Sequence, residues 1–190
     1  MLTFEPLTPH NWPHLQTLFG EKGACGGCWC MYWRLFHQQY EQQKGAKNKA
    51  SLKELVQQGK FLGVLANDND VPMGWCSVSP KPSLVRLSKS RLFKNLEDTE
   101  ATWSITCLFV NKDFRNQGLS TQLINAASQY AFENGASKVE AYPILPQKKN
   151  VPPVFAYVGF ESAFRKAGFE EVVQVSPTRS VMQLTNSGDN

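Results

Sequence analysis

Two stretches carry residue types at spacings that could do chemistry. The first is Arg115-x-x-Gly118-x-Ser120. Gly118 has no Cβ, so a ligand can approach its backbone closely. Amides that open a helix have no intrahelical acceptor and sit at the positive end of the helix dipole, which suits a phosphate. The plain alternative is a strand-to-helix turn that simply needs a glycine. The second stretch is GACGGCWCMYWR, residues 23–34, with three cysteines, three glycines and three aromatics. Cys25-x-x-Cys28 has the spacing of a zinc ligand pair, but a structural zinc takes four ligands. The other cysteines, Cys76 and Cys107, are isolated, so no metal is expected. A redox dithiol is disfavoured too, because the pair does not follow a strand and open a helix. The remaining readings are a tightly packed loop and the lining of a substrate cleft.

These residues need elements to position them. Residues 102–110 (TWSITCLFV) read as a central strand, rich in β-branched and aromatic types with an apolar second half. Residues 111–117 break it. From Gly118 onward Leu119, Leu123, Ala126, Ala127 and Tyr130 recur as one helix face, closed by Gly135. Neither a Gly-x4-Gly-Lys-Ser/Thr loop nor a Gly-x-Gly-x-x-Gly after a strand occurs.

Upstream, residues 2–7 suit a strand. Residues 9–19 suit a helix capped by Thr8, and residues 31–43 a second helix. A third helix over 48–58 has Ser51 and Glu54 at capping-box spacing. Residues 61–66 and 71–78 flank Asn-Asp-Asn-Asp as a hairpin, and 83–96 suit a basic helix beside a cleft. Downstream come a strand over 138–142, a proline-rich loop over 143–153 and a helix over 155–167. Strands over 170–175 and 181–184 follow, and then a polar tail over 185–190 expected to be mobile.

The 190 residues suit one domain, 1–184, able to bury a substantial core. No apolar run approaches a membrane span, and the first residues lack a signal-like pattern, so a cytoplasmic protein is expected. The net charge of +4 is mild and spread out, which points away from nucleic acid. Five cysteines, an odd count, argue against a disulfide framework.

The strand ending in Val110, followed by Arg115-x-x-Gly118-x-Ser120, resembles the acetyl-CoA-binding motif of the GNAT acyltransferases. That motif is a strand ending in Val and then Arg/Gln-x-x-Gly-x-Gly/Ala. Ser120 replaces the usual small last residue, and Lys112 stands where proline is common. Residues 28–34 also resemble a Cys-Trp-Cys-Met-Tyr-Trp-Arg segment of a bacterial GNAT subgroup. The element order matches the GNAT architecture over nearly the whole chain. The resemblance implies an α/β (α+β) fold with a mixed sheet of six to seven strands, flanked by helices and splayed at its central strands.

It implies acetyl-CoA as acyl donor. The pantetheine arm would pair with Leu108, Phe109 and Val110. The pyrophosphate would lie on the amides of Arg115, Asn116, Gln117, Gly118, Leu119, Ser120 and Thr121, with Phe164 beside the acyl group. The loop between the first two helices would cover the acceptor, which makes Trp29, Tyr32, Trp33 and Arg34 substrate-binding candidates. The reaction would be direct attack of a primary amine, of a small molecule or peptide, on the thioester.

A base would take the ammonium proton, and Glu100 and Glu140 flank the central strands as candidates. A strand amide near Leu108 to Val110 would hold the oxyanion. The family's usual acid is a Tyr four residues before a Gly-Phe pair; here that position holds Phe164, leaving Tyr157 and Ser162 as stand-ins. Cys107 reads as packing rather than as a nucleophile, since the three histidines lie far off in sequence at 10, 14 and 37. Neither nucleic acid nor membrane is expected as a partner, and a homodimer is left open. Phe164 also motivates an alternative, an acyl-CoA-binding module without catalysis. A cysteine-rich metal or redox protein is the third reading.

Overall fold

Period-two alternation sorts the strand side chains onto two apolar faces, and helices cover both. The computed structural model describes residues 1–93, 101–145 and 157–186. Its strands are β1 (Leu2–Pro6), β2 (Gly63–Asp68), β3 (Val71–Pro80), β4 (Thr102–Val110), β5 (Lys138–Ala141), β6 (Glu170–Ser176) and β7 (Arg179–Thr185). They form one sheet in the order β1-β2-β3-β4-β5-β7-β6. All neighbours are antiparallel except β4 and β5, which run parallel. The helices are α1 (Trp12–Phe19), α2 (His37–Gln43), α3 (Ala46–Gln57), the single turn α4 (Val85–Ser88), α5 (Leu119–Glu133) and α6 (Glu161–Lys166).

On one face Val64, Ala66, Cys76, Val78, Trp103 and Ile105 pack against Leu123, Ala127 and Ala131 of α5 and Phe164 of α6. On the other, Leu65 and Trp75 pack against Leu15 and Phe19 of α1, Leu52 and Val56 of α3, and the loop residues Trp29 and Met31. Each fully buried large apolar side chain contributes about 1.5–3 kcal/mol. The β2–β3 turn uses Asn69 and Asp70 at φ 44° and 68°, the left-handed pair that a two-residue hairpin needs.

β4 carries a bulge. Ser77 of β3 faces Cys107 while Val78 faces Ile105, so Thr106 is the extra residue. The bulge reverses the parity of the strand. Trp103 and Ile105 face α5, as do Leu108 and Val110, whereas Cys107 and Phe109 turn to the α1 side.

Several sequence expectations are corrected. The helix over 31–43 keeps only α2. Met31 belongs to the α1-side core and Trp33 to a separate cluster with Leu87 and Phe93, so the intervening chain crosses between cores as turns. Thr8 does not cap α1. Asn11 occupies the cap position, accepts from the Thr8 amide at 2.8 Å and donates to the Pro6 carbonyl at 2.9 Å. Ser51 and Glu54 lie inside α3, which begins after Gly45. The helix over 83–96 shortens to α4, with residues 94–96 outside the described region. The helix over 155–167 reduces to α6 over 161–166, and 155–156 lie outside the described residues. Most of the 143–153 loop and residues 187–190 of the tail also lie outside the described residues. Among the described residues no helix is long and apolar enough to cross a membrane.

Candidate active site

The site begins where β4 loses its partner. β5 pairs with β4 only from Thr102↔Lys138 to Ile105↔Ala141. Beyond the Thr106 bulge, no described strand pairs with β4 on that side up to Val110. Its Asn111 amide donates to Met73 of β3 at 2.9 Å. By alternation, the amides of Leu108 and Val110 therefore face the opened side. The Leu108 amide donates to the Tyr157 carbonyl there at 2.6 Å.

At the end of the strand the Val110 carbonyl accepts from Nε of Arg115 at 3.1 Å, and Asn111 caps the turn by accepting from the Asp113 amide at 3.3 Å. These contacts fold the break back toward α5. Gly118 precedes α5 at φ 79°, a left-handed conformation that favours glycine. A Cβ built there meets nothing within 4 Å, so the backbone is open to a ligand on that side. Arg115, Asn116 and Gln117 are exposed beside it, Ser120 and Thr121 are half-buried, and Leu119 anchors the helix in the core. The first amides of this 15-residue helix have no acceptor within the helix.

On the opposite face of the sheet lies a cleft of about 410 Å³ whose lining includes Tyr32, Trp33, Arg86, Phe93, Tyr157 and Arg179. The Tyr32 ring stands 6.2 Å from the Tyr157 ring and edge-on to Trp33 at 4.9 Å. Arg86 lies over Tyr32 at 3.9 Å. Burial pushes the Tyr157 phenol up to about 12, so it stays protonated near neutral pH. Tyr157 thus touches the opened strand through its backbone and the cleft through its ring.

Of the four acceptor candidates, Tyr32 and Trp33 line this cleft. Trp29 does not: it is 2% exposed, packed between Trp12 and Phe19 with ring centroids 6.1 and 5.6 Å away. Gly23 is required for this, because a Cβ there would lie 2.2 Å from the Trp29 indole nitrogen. Arg34 turns inward and donates to Ser79 Oγ at 2.5 Å. Burial lowers its pKa to about 10.

Beside Arg34, Cys30 accepts from the Trp75 indole N–H at 3.2 Å and hydrogen-bonds with Cys107, which the bulge has turned to this side. That contact with Cys107, reinforced by Trp75 and Arg34 and opposed by burial, lowers the Cys30 pKa and raises that of Cys107. Among the described residues no group of three or more His, Cys, Asp or Glu side chains is placed to hold a metal ion.

Glu140, a candidate base in the sequence, is corrected by its surroundings. It is 0% exposed, 2.9 Å from Lys81 Nζ, and accepts from Tyr142 and Gln183 at 2.8 Å each. Its carboxylate is fully engaged and sealed from any acceptor. Phe164 is likewise 0% exposed, packed edge-on to Phe169 in the α5-side core rather than open to the gap. Ser162 is exposed on α6, and Glu100 lies outside the described residues. Sequence reasoning missed Arg179, Phe93, Tyr142 and His37 of the cleft. For Arg86 and Lys89 the basic run over 83–96 was the one available signal.

A sheet opened beside a bulged central strand, with the N-terminus of the following helix on one face and a cleft on the other, fits an acyl-CoA-dependent transferase. The model of the Acetyltransferase (GNAT) family matches residues 28–160, well over half of the chain, and the chain belongs to that family.

Among similar solved structures is the paia N-acetyltransferase from Thermoplasma acidophilum in complex with coenzyme A. It has 12% identity and a TM-score of 0.56, covering 97% of this chain and 99% of that one. The aminoglycoside acetyltransferase AAC(6')-Ib in complex with coenzyme A is 17% identical with a TM-score of 0.54, covering 98% and 95%. The ribosomal-protein-S18-alanine N-acetyltransferase from Escherichia coli is 11% identical with a TM-score of 0.51, covering 100% and 97%. At these identities the likeness shows the fold. No curated protein sequence matches the chain.

Proposed function

We propose that this chain moves an acetyl group from acetyl-CoA to a primary amine of a small molecule or peptide by direct attack. The observation that carries the reading is the divergence of β4 from β5 after Ile105, with strand amides on the opened side and the Gly118 turn at its end. The residues fit the donor. Amides from Arg115 to Thr121 would take the pyrophosphate, and the edge at Leu108, Phe109 and Val110 would take the pantetheine. The space over Gly118 leaves room for a phosphate against the backbone.

The amine would arrive through the cleft on the other face. As its nitrogen bonds to the thioester carbon, negative charge grows on the carbonyl oxygen. The Val110 amide, on the opened side and not engaged by Tyr157 as the Leu108 amide is, would be the donor that holds it. Collapse breaks the carbon–sulfur bond, and Tyr157, protonated and at the junction, would supply the leaving thiolate with a proton. The ammonium proton would leave through water, with Glu100 as the carboxylate candidate.

The buried Phe164 keeps a second reading, an acyl-CoA-binding module without turnover. Calorimetry with acetyl-CoA and a panel of amines scored by free thiol separate the two. Tight binding with thiol release supports transfer, and tight binding with no release for any amine supports the module. Absence of acetyl-CoA binding overturns both.

A further inference from the structure

From the chemistry of the cleft, we infer that the acceptor amine carries an anionic group, carboxylate or phosphate, on an aromatic or apolar body. This rests on the acyl-transfer reading. The described lining holds the cations Arg86, Lys89 and Arg179 and no Asp or Glu. Arg86 is preorganised: its guanidinium stacks on Tyr32 at 3.9 Å, and its backbone amide donates to the Trp33 carbonyl at 3.1 Å. Its Nη1 is buried without a hydrogen-bond partner, and so is Nε1 of Trp33, the neighbouring wall of the same cleft. Two buried donors of residues that line one cleft call for an acceptor that the described residues do not supply.

Arg86 also acts on Glu41, whose pKa is lowered first by its hydrogen bond to Lys44 and least by Arg86. Glu41 pairs with Lys44 at 2.6 Å and does not line the cleft. A guanidinium held over an aromatic ring has a planar set of donors that matches the two oxygens of a carboxylate or phosphate. The rings of Trp33, Phe93 and Tyr142 then meet the body of the acceptor. A polycationic amine would meet three like charges there.

The test uses matched amines with acetyl-CoA: phenylalanine against phenylalaninamide, and tyramine O-phosphate against tyramine. At least one anionic member should exceed its neutral partner at least tenfold in kcat/KM, and the pair that does so separates carboxylate from phosphate. Arg86→Gln should abolish the preference through KM, leaving acetyl-CoA affinity unchanged. Lys89→Gln, at an exposed position, should reduce it severalfold. Equal or better use of the neutral amines, or an undiminished preference in folded Arg86→Gln, overturns the inference.

Binding of the four N-acetylated products in the presence of CoA gives a readout independent of turnover. An anion preference that Arg86→Gln removes upholds the inference even without thiol release, in which case acyl transfer alone has failed. No preference among the products overturns it.

Discussion

The Leu108 amide donates to the carbonyl of Tyr157 at 2.6 Å while the Tyr157 ring faces Tyr32 across the cleft. One residue therefore joins the opened strand edge to the acceptor side. Its backbone holds the edge and its phenol stays protonated well past neutral pH. Tyr157→Phe keeps the backbone contact and removes only the proton donor. We expect kcat to fall about 10²-fold or more with acetyl-CoA affinity unchanged, measured by steady-state thiol release and calorimetry. An unchanged kcat would take the phenol out of the reaction.

Gly118→Ala separates ligand space from protein space. The added Cβ meets no protein atom within 4 Å, so the folding cost is confined to the φ of 79°, about 1–2 kcal/mol. The variant should stay folded with a modestly lowered melting temperature and bind acetyl-CoA at least tenfold more weakly. Wild-type affinity in the folded variant would remove the pyrophosphate from this turn.

The Lys81–Glu140 pair is buried on both sides at 2.9 Å. Lys81→Met leaves the Glu140 charge uncompensated and should cost about 3–5 kcal/mol in denaturant unfolding. The double variant Lys81→Met/Glu140→Leu should recover much of that loss, because two apolar side chains replace two desolvated charges. If the single variant loses less than the double, the ion pair is not what holds this region.

Alkaline pH should loosen the fold. Burial pushes the Cys28 thiol up to about 11 and the Cys76 thiol well above the usual range, while Cys107 is raised chiefly by its contact with Cys30. In the unfolded chain such thiols ionise near ~8.5, so above that pH the folded state holds more protons than the unfolded one. Stability then falls as pH rises. Cys30, lowered chiefly by Cys107, acts in the opposite sense and over a lower range. The melting temperature should drop as pH rises from about 8.5 through about 11, where the folded Cys28 thiol ionises, and Cys76→Ala should flatten the decline. A flat profile in the native chain would contradict the buried-thiol assignment.

The strand over 102–110 was legible because a buried central strand announces itself as a continuous apolar and β-branched run. Its observed bounds are the expected ones. Gly118 was legible because a strand-to-helix turn that approaches a ligand has few alternatives to glycine. The role of Glu140 was not. Alternation in Lys-Val-Glu-Ala-Tyr suggests a solvated face, but β5 is covered on both sides, and the partner cation comes from a segment remote in sequence. The stacking of Arg86 on Tyr32 is likewise a tertiary contact between two loops. Trp29 and Tyr32 are neighbours of one type in one segment, yet one fills the core and the other lines the cleft. Consecutive left-handed residues at Trp29 and Cys30, φ 47° and 53°, turn the chain between them. Nothing in the residue types foretells that.

Thr106 makes the length of β4 a constraint separate from its composition. Deleting it would return the downstream residues to the unbroken alternation, exchanging the surroundings of Cys107 and Leu108 and of Phe109 and Val110 in one step. The donor edge and the thiol pair would be lost together, although no side chain in either had been replaced. As the sequence diverges, β4 can therefore absorb exchanges of one apolar residue for another far more readily than the loss of a single position.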